Sequence, residues 1–290
     1  MFSPKIWGLL FVCVAFYTQV PATGSEITST ELILIASAES RGEIDPCDCP
    51  VQPLGGLPRR ASLLREVRDS GHPAVLIELG EVFPPAYQMS NSFTWAAALG
   101  TAYGFMGYNL VVFGDEDLAL GKAVLDRFQA AFVAENPYGK VAVPPKGGAG
   151  YSWIRFDAPT RDQQDLSLSF LVVWPPVNPS EIAVLLDRYH EQADMKIAVI
   201  HGNLVAAKGL LADSTFFDHI VVGDGSKFDE VRRINRTSVS GPGIRGRTLS
   251  FARLIYGSKN DWIVAGYRLV PVTPDYMDDV VISEVIHELH

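Results

Sequence analysis

Acidic and polar side chains recur directly after short apolar runs in this 290-residue sequence. The residues among them whose side chains could bind a ligand or move a proton are Glu39, Arg41, Glu81, Asp115, Glu116, His201, Asp224 and Ser226. Carboxylate oxygens are the ligands that Ca²⁺ and Mg²⁺ prefer in proteins. If the fold brings these residues together, they would therefore form an oxygen-lined site for a divalent cation.

The elements that must position these residues follow from the hydrophobic periodicity. Short apolar runs predict strands at residues 32–36, 75–79, 109–113, 131–134, 166–173, 197–201, 220–222, 233–238, 249–256 and 262–269. Helical spacing predicts helices at residues 57–67, 92–106, 118–128, 179–192, 204–211 and 280–289. Residues 137–151 are rich in Gly, Pro and Lys and predict a loop. Alternating strands and helices followed by strand-only segments indicate a single layered α/β domain.

The polar clusters also resemble, in their order, the motifs of a known family. The segments concerned are Glu39-Ser40-Arg41-Gly42, Gly55-Gly56-Leu57-Pro58-Arg59, Gly80-Glu81-Val82-Phe83, Gly114-Asp115-Glu116, His201-Gly202 and Gly223-Asp224-Gly225-Ser226. They resemble the metallophosphoesterase (calcineurin-like) superfamily, and within it the exported 5'-nucleotidase-like branch. The resemblance extends from about residue 31 to the C-terminus. It implies a four-layer α-β-β-α sandwich of two mixed sheets flanked by helices.

The resemblance also implies how the family's chemistry would map onto this chain. Family members hydrolyse phosphoesters with two divalent metals bridged by a carboxylate. Of the ligand positions, only His201 keeps the family's residue type. Glu39 and Arg41 replace an Asp and a His, and Glu81 replaces the bridging Asp. The further replacements are Asp115-Glu116 for an Asn-His pair and Asp224-Gly225-Ser226 for a His-x-His pair.

Two interpretations of this altered site stay open. In the first, Glu81, Asp115, Glu116, His201 and Asp224 bind a divalent cation in a carboxylate-rich site. In the second, Arg41 stands where a metal would be and neutralises neighbouring carboxylates through bidentate pairs, because a guanidinium cannot ligate a metal. The second favours a protein that has lost its hydrolase site.

A cysteine pair, Cys47-Asp48-Cys49, lies between two prolines in the loop after the first predicted strand. The alternatives are a strained disulfide, a soft-metal site for Cu(I) or Zn²⁺, thiols that merely fix the loop, and a pair that acts in redox catalysis. A related branch of the exported family carries a similar motif beside redox proteins, which implies a redox partner. Covalent haem is not predicted, because the sequence contains no Cys-x-x-Cys-His run.

The N-terminus predicts export. Lys5 precedes an apolar run from Ile6 to Val20, and Ala22-Thr23-Gly24 offers small residues for cleavage after Gly24. A retained membrane anchor is the alternative, but the run is short for a span of about 20 residues. Residues 1–24 are therefore interpreted as a signal peptide, and residues 25–290 as one soluble periplasmic or extracellular domain.

The overall charge narrows the class of partner. The chain has 24 Lys and Arg against 33 Asp and Glu, a formal net charge of -9. An acidic surface lacks the attraction to phosphate that nucleic-acid binders need. The sequence thus favours a non-catalytic binding or scaffold component, in a redox assembly by the resemblance. The alternative is a divergent metal-dependent phosphoester (nucleotide) hydrolase.

Overall fold

The computed structural model describes residues 30–159, 165–188, 193–211, 216–223, 228–257 and 261–290. The segment interpreted as a signal peptide lies outside the described residues, and so do Asp224 and Ser226. Within the described ranges, no helix is both long enough and apolar enough to span a bilayer.

The strands account for most of the predicted apolar runs. They are β1 (Glu31–Ala38), β2 (Ala74–Leu79), β3 (Leu110–Val112), β4 (Lys140–Ala142), β5 (Gly150–Pro159), β6 (Asp165–Trp174), β7 (Met195–His201), β8 (His219–Gly223), β9 (Arg232–Ile234), β10 (Thr237–Ser240), β11 (Gly243–Ile244), β12 (Thr248–Tyr256) and β13 (Trp262–Pro271). The α-helices are α1 (Leu57–Asp69), α2 (Ser92–Met106), α3 (Asp115–Leu118), α4 (Lys122–Glu135), α5 (Pro179–Arg188), α6 (Leu204–Leu211) and α7 (Val280–Ile286).

The described strands form two mixed sheets. The first has the order β13-β12-β1-β2-β3-β4, with β11 paired to β1, and its strands β1 to β4 run parallel. The second has the order β5-β6-β7-β8-β10-β9, with β6, β7, β8 and β10 parallel and antiparallel strands at both edges.

Three apolar clusters show how the layers stack. Alternate residues of a strand point to opposite faces, so each sheet has two faces to cover. One face of β1, β2 and β3 packs directly on β6 and β7 of the other sheet. Their outer face packs on α1, α2, α4 and α7, while the outer face of the second sheet packs on α5 and α6. This is the predicted four-layer sandwich.

Some predicted elements differ from the structure. The strand predicted at residues 131–134 is wrong, because these residues continue α4. Phe128 and Phe132, four residues apart on that helix, are both fully buried and stack with ring centroids 6.0 Å apart. The single strand predicted at residues 233–238 is wrong as well. It is divided into β9 and β10 by a turn at Asn235, whose φ is 53°, a conformation that Asn tolerates better than most residues.

The predicted loop at residues 137–151 also contains structure, since β4 and the start of β5 lie within it. The helix predicted at residues 179–192 is described as far as Arg188, and its remaining predicted residues lie outside the described ranges.

Candidate functional site

Parallel pairing brings three acidic clusters to one edge of the first sheet. Ala38 pairs with Leu79, and Leu79 pairs with Val112, so the chain leaves β1, β2 and β3 side by side. Glu39 follows β1 directly, and Glu81 lies two residues beyond β2. Asp115 and Glu116 begin the short helix α3 just after β3. We call Glu39, Arg41, Glu81, Asp115, Glu116 and His201 the strand-end site.

His201 reaches this site from the second sheet, at the end of β7. Its imidazole lies directly against Gly80, so closely that a Cβ atom on Gly80 would collide with Nε2. Burial lowers the pKa of His201, while the charges of Asp115 and Glu39 oppose that shift. The imidazole is therefore a neutral group at neutral pH, able to accept or donate a hydrogen bond.

The backbone around the site is strained. Glu39, Arg41 and Glu81 have φ angles of 51°, 45° and 46°, in the left-handed region that side-chain-bearing residues rarely adopt. Two hydrogen bonds hold the loops in this shape: the Arg41 N–H donates to the Glu81 carbonyl at 2.7 Å, and the Gly42 N–H to the Val82 carbonyl at 2.9 Å. Such strain costs of order 1 kcal/mol per residue and concentrates at functional sites.

Arg41 is the cation at the centre of the site. Its Nη1 donates to Glu116 Oε2 at 2.6 Å, and its Nε lies 3.8 Å from Glu39 Oε2. Burial lowers the pKa of Arg41, but the hydrogen bond and charge of Glu116 and the charges of Glu81 and Glu39 outweigh it, so that the net shift is upward. The contact to Glu116 involves one guanidinium nitrogen and is not the bidentate pair expected from the sequence.

Glu81 is the most deeply buried carboxyl of the site. The residue is 8% exposed, its Oε1 lies against Gly114, and its Oε2 has no hydrogen-bond partner among the described residues. Burial, together with the charges of Asp117 and Glu116, raises the pKa of Glu81 to about 8, although Arg41 opposes the shift. The Glu81 carboxyl therefore binds a proton more readily than an exposed glutamate does.

Asp117 has a role that the sequence analysis did not assign. It is 1% exposed and accepts hydrogen bonds from the backbone N–H groups of Val82, Phe83 and Gly114 at 2.9–3.1 Å. These bonds tie the loop after β2 to the start of α3. Burial nevertheless raises the pKa of Asp117 to about 6, against the effect of its three N–H donors. An acid three residues after a glycine at a helix start was the available signal.

A second missed feature lies beneath the site, in the layer between the first sheet and its helices. Glu78 and Arg60 are both fully buried and lie 3.5 Å apart. Glu78 also accepts hydrogen bonds from Ser37 and, at 2.7 Å, from Ser40, which stands between Glu39 and Arg41. Residue 60 is spaced three from Leu57 and four from Leu64, so it lies on the apolar face of α1. That spacing was the signal.

The cysteine pair lies in the loop between β1 and α1, just before its exposed tip at residues 50–53. The structure joins Cys47 and Cys49 as a disulfide. The Cys47 N–H donates to the Leu54 carbonyl at 2.8 Å, and the Leu54 N–H points back to Cys47 Sγ at 3.3 Å. Below them, Pro46 and Gly55 form a β-bridge that closes the loop. The oxidation state of the two sulfurs in the isolated protein stays a prediction.

The described residues do not fit a two-metal centre. Such a centre needs several anionic or imidazole ligands around each ion. Within the described part of the chain, no group of three or more His, Cys, Asp and Glu side chains is arranged to hold a metal. The group that the carboxylates of Glu39 and Glu116 face is instead the Arg41 guanidinium, which has no lone pair to offer a metal.

Comparison with known proteins establishes the fold. The sequence matches no family model, and a search of curated proteins finds no match. Among solved structures, a 5'-nucleotidase precursor from Thermus thermophilus has a TM-score of 0.66 at 13% identity, covering 89% of this chain and 58% of that one. A calcineurin-like phosphoesterase from Bacillus subtilis has a TM-score of 0.63 at 14% identity, covering 90% and 97%.

A further similar structure is an NAD nucleotidase from Haemophilus influenzae, with a TM-score of 0.61, 9% identity and coverage of 90% of this chain and 63% of that one. This chain thus spans about three fifths of the length of the two nucleotidase structures. At these identities the likeness concerns the arrangement of the backbone.

Proposed function

The chain has the fold of calcineurin-like metallophosphoesterases, as in their 5'-nucleotidase-like branch, and from this premise we propose that it is a non-hydrolytic binding or scaffold protein. The proposal places residues 25–290, one domain, in the periplasm or outside the cell after cleavage of the signal peptide. Its partner would be another exported protein, by the sequence resemblance a redox protein. The proposal includes no nucleic-acid partner, no membrane attachment after cleavage and no covalent haem.

One observation carries the loss of hydrolysis: the guanidinium of Arg41 stands among the carboxylates of the strand-end site. Glu116 lies 2.6 Å and Glu39 3.8 Å from its nitrogens. Two positive unit charges about 4 Å apart repel each other by roughly 4 kcal/mol at an effective dielectric constant of 20. A divalent ion beside this guanidinium would therefore be repelled. Arg41 also supplies a positive charge to the carboxylates of Glu39 and Glu116.

Several features suit a site that keeps the shape of an ancestral pocket without its chemistry. The loops are held in place from within the protein by backbone hydrogen bonds, by the N–H groups that donate to Asp117 and by the Glu78–Ser40 contact. No metal is required for these contacts. The strained loops are thereby available to present polar groups to a ligand or partner.

The alternative is a divergent metal-dependent phosphoester or nucleotide hydrolase. In that case Glu81 would bridge metals held with Asp115, Glu116, His201 and Asp224. The observation that favours it is the buried Oε2 of Glu81, which has no partner among the described residues and could accept a cation. Divalent metal would supply an activated water and a clamp for phosphoryl oxygens.

Metal content and activity, measured on the same samples of the full chain, distinguish the two functions. We expect dialysis against Mn²⁺ followed by gel filtration to leave well below one ion per chain, where a two-metal site would keep about two. We also expect the wild type and Glu81→Ala to hydrolyse an aryl phosphate at the same background rate. An active phosphoesterase of the same fold, treated identically, is the positive control. Two bound ions with hydrolysis abolished by Glu81→Ala would contradict the proposal.

A further inference from the structure

The loop that carries the cysteine pair is not used by the strand-end site, and its contacts make its two sulfurs unequal. We propose that the Cys47–Cys49 loop is a thiol–disulfide exchange site for a dithiol protein. Cys49 is the sulfur that is attacked, and Cys47 is the one that leaves as a thiolate. This inference concerns the loop alone and does not depend on whether the strand-end site hydrolyses anything.

The disulfide lies in an exposed part of the loop. The loop residues from Pro50 to Pro53 are exposed, and Val51 at its tip is 97% exposed. Cys47 and Cys49 are partly exposed, so that an incoming thiolate can reach the disulfide without unfolding of the domain. Proline and valine side chains beside the disulfide give an incoming protein apolar surface to contact.

Backbone contacts hold the base of the loop in place. The base of the loop is fixed by the bridge between Pro46 and Gly55 and by the Leu57 N–H, which donates to the Ile44 carbonyl at 2.8 Å. The Gly55 N–H donates to the Val272 carbonyl, also at 2.8 Å, and so ties the loop to the segment after β13. The base of the loop is therefore held by contacts that do not involve the disulfide.

The two sulfurs differ in their hydrogen bonding. The Leu54 N–H lies 3.3 Å from Cys47 Sγ, whereas no such donor to Cys49 is seen in the described part of the chain. A hydrogen bond to a thiolate stabilises the charged form. Since the better stabilised thiolate leaves more readily, Cys47 is the better leaving group.

The exchange proceeds through two displacements at sulfur. A thiolate of the partner attacks Cys49 Sγ; the Cys47–Cys49 bond breaks, and its electron pair stays on Cys47, which accepts the Leu54 N–H. The second thiolate of the partner then attacks the partner's own sulfur in the mixed disulfide and releases Cys49 as a thiolate. Two electrons pass from the partner dithiol to the pair. The two protons that the dithiol loses are taken up from solvent by Cys47 and Cys49.

The position of an adduct tests the assignment. The probe is glutathione, added to the native, oxidised full chain; free thiols are then blocked with iodoacetamide, and tandem mass spectrometry locates the adduct on the peptide of residues 42–59. Because the Leu54 N–H favours Cys47 as the leaving thiolate, we expect Cys49 to carry the adduct about threefold or more in excess over Cys47.

Two variants at one position give the matched control. Leu54→Pro removes the donor N–H and should bring the ratio of the two adducts close to one. Leu54→Ala keeps the N–H and should retain the wild-type ratio, with circular dichroism checking the fold of both. The proposal is overturned by an excess on Cys47, by equal adducts in the wild type, by no reaction with the native chain, or by a pair that is isolated without a disulfide. If Leu54→Pro does not fold, the wild-type and Leu54→Ala ratios still decide.

Discussion

Two arginine–glutamate pairs, one in the strand-end site and one beneath it, lie in opposite environments. Arg41 and Glu116 pair at 2.6 Å in the strand-end site, with side chains 26% and 55% exposed. Arg60 and Glu78 pair at 3.5 Å beneath it, and both side chains are fully buried. The shorter contact is the one open to water. Distance alone therefore does not say which pair the fold depends on.

The difference lies in what happens when one partner is removed. Water and salt screen an exposed charge, so an exposed pair contributes little to stability. A buried charge left without its partner is strongly destabilising. The Arg60–Glu78 pair is thus a structural element that holds the site from below, through Ser40. The Arg41–Glu116 pair sets the charge of the site itself.

Arg60→Met should produce the largest effect. It leaves the carboxylate of Glu78 buried without a cation, and we expect the free energy of unfolding to fall by about 3–5 kcal/mol. Urea denaturation followed by circular dichroism measures the change. Arg59→Met is the matched control on the same helix, because Arg59 pairs with the exposed Asp278 at 3.4 Å; it should cost about 1 kcal/mol or less. Equal losses in the two variants would remove the distinction between the environments.

His219 extends the comparison to the second sheet and predicts a pH dependence. It is fully buried between the hydroxyls of Ser238 and Ser240, at 2.7 and 2.8 Å, and burial lowers its pKa to about 3. The unfolded state, with a pKa near 6.5, takes up the proton first as the pH falls. The contribution of neutral His219 to stability is therefore complete above pH 6.5 and lost towards pH 3.

We expect this one residue to remove roughly 3 kcal/mol of stability between pH 6.5 and pH 4, at about 1.4 kcal/mol per pH unit. His219→Gln keeps a polar side chain that does not titrate in this range. Urea denaturation at several pH values should show a shallower slope for the variant than for the wild type. Parallel slopes would mean that His219 is accessible to protons in the folded protein.

Arg41→Gln should produce the smallest effect on stability. The pair is exposed, so we expect the free energy of unfolding to change by less than about 1 kcal/mol, with the difference shrinking at high salt. Arg41→Lys, which keeps the charge, is the control. A loss as large as that of Arg60→Met would show that the strand-end site, too, is an essential part of the folded core.

Much of the fold could be predicted from the sequence, because the signals are local. In runs such as 75–79 and 197–201, every residue except Glu78 and His201 is apolar and suited to a buried strand. The parallel connection of such strands places the residues that follow them at one edge of the sheet. The failures were also local in origin. Residues 131–134 are apolar, which suits a buried strand and a buried helix face equally. The packing of Phe132 on Phe128 within α4 is the contact that favours the helix.

The contacts of the site could be predicted less well. The sequence identifies Arg41 and Glu116 as candidate site residues, but it does not show which guanidinium nitrogen contacts which carboxylate oxygen. Glu78 lies within an otherwise apolar strand, where only the position of Arg60 on the neighbouring helix explains its burial. Asp117 was visible as an acid at a helix start, yet its backbone partners come from a different loop. These contacts depend on tertiary distances that no periodicity encodes.

The central claim, that Arg41 serves as the cation of the strand-end site, is tested most directly by a crystal structure of the full chain grown in Mn²⁺, with anomalous scattering recorded. We predict that the Arg41 guanidinium remains between Glu39 and Glu116 and that no anomalous peak lies within bonding distance of Glu81 or His201. A manganese peak between Glu81 and His201, with Arg41 turned out of the site, would contradict the claim.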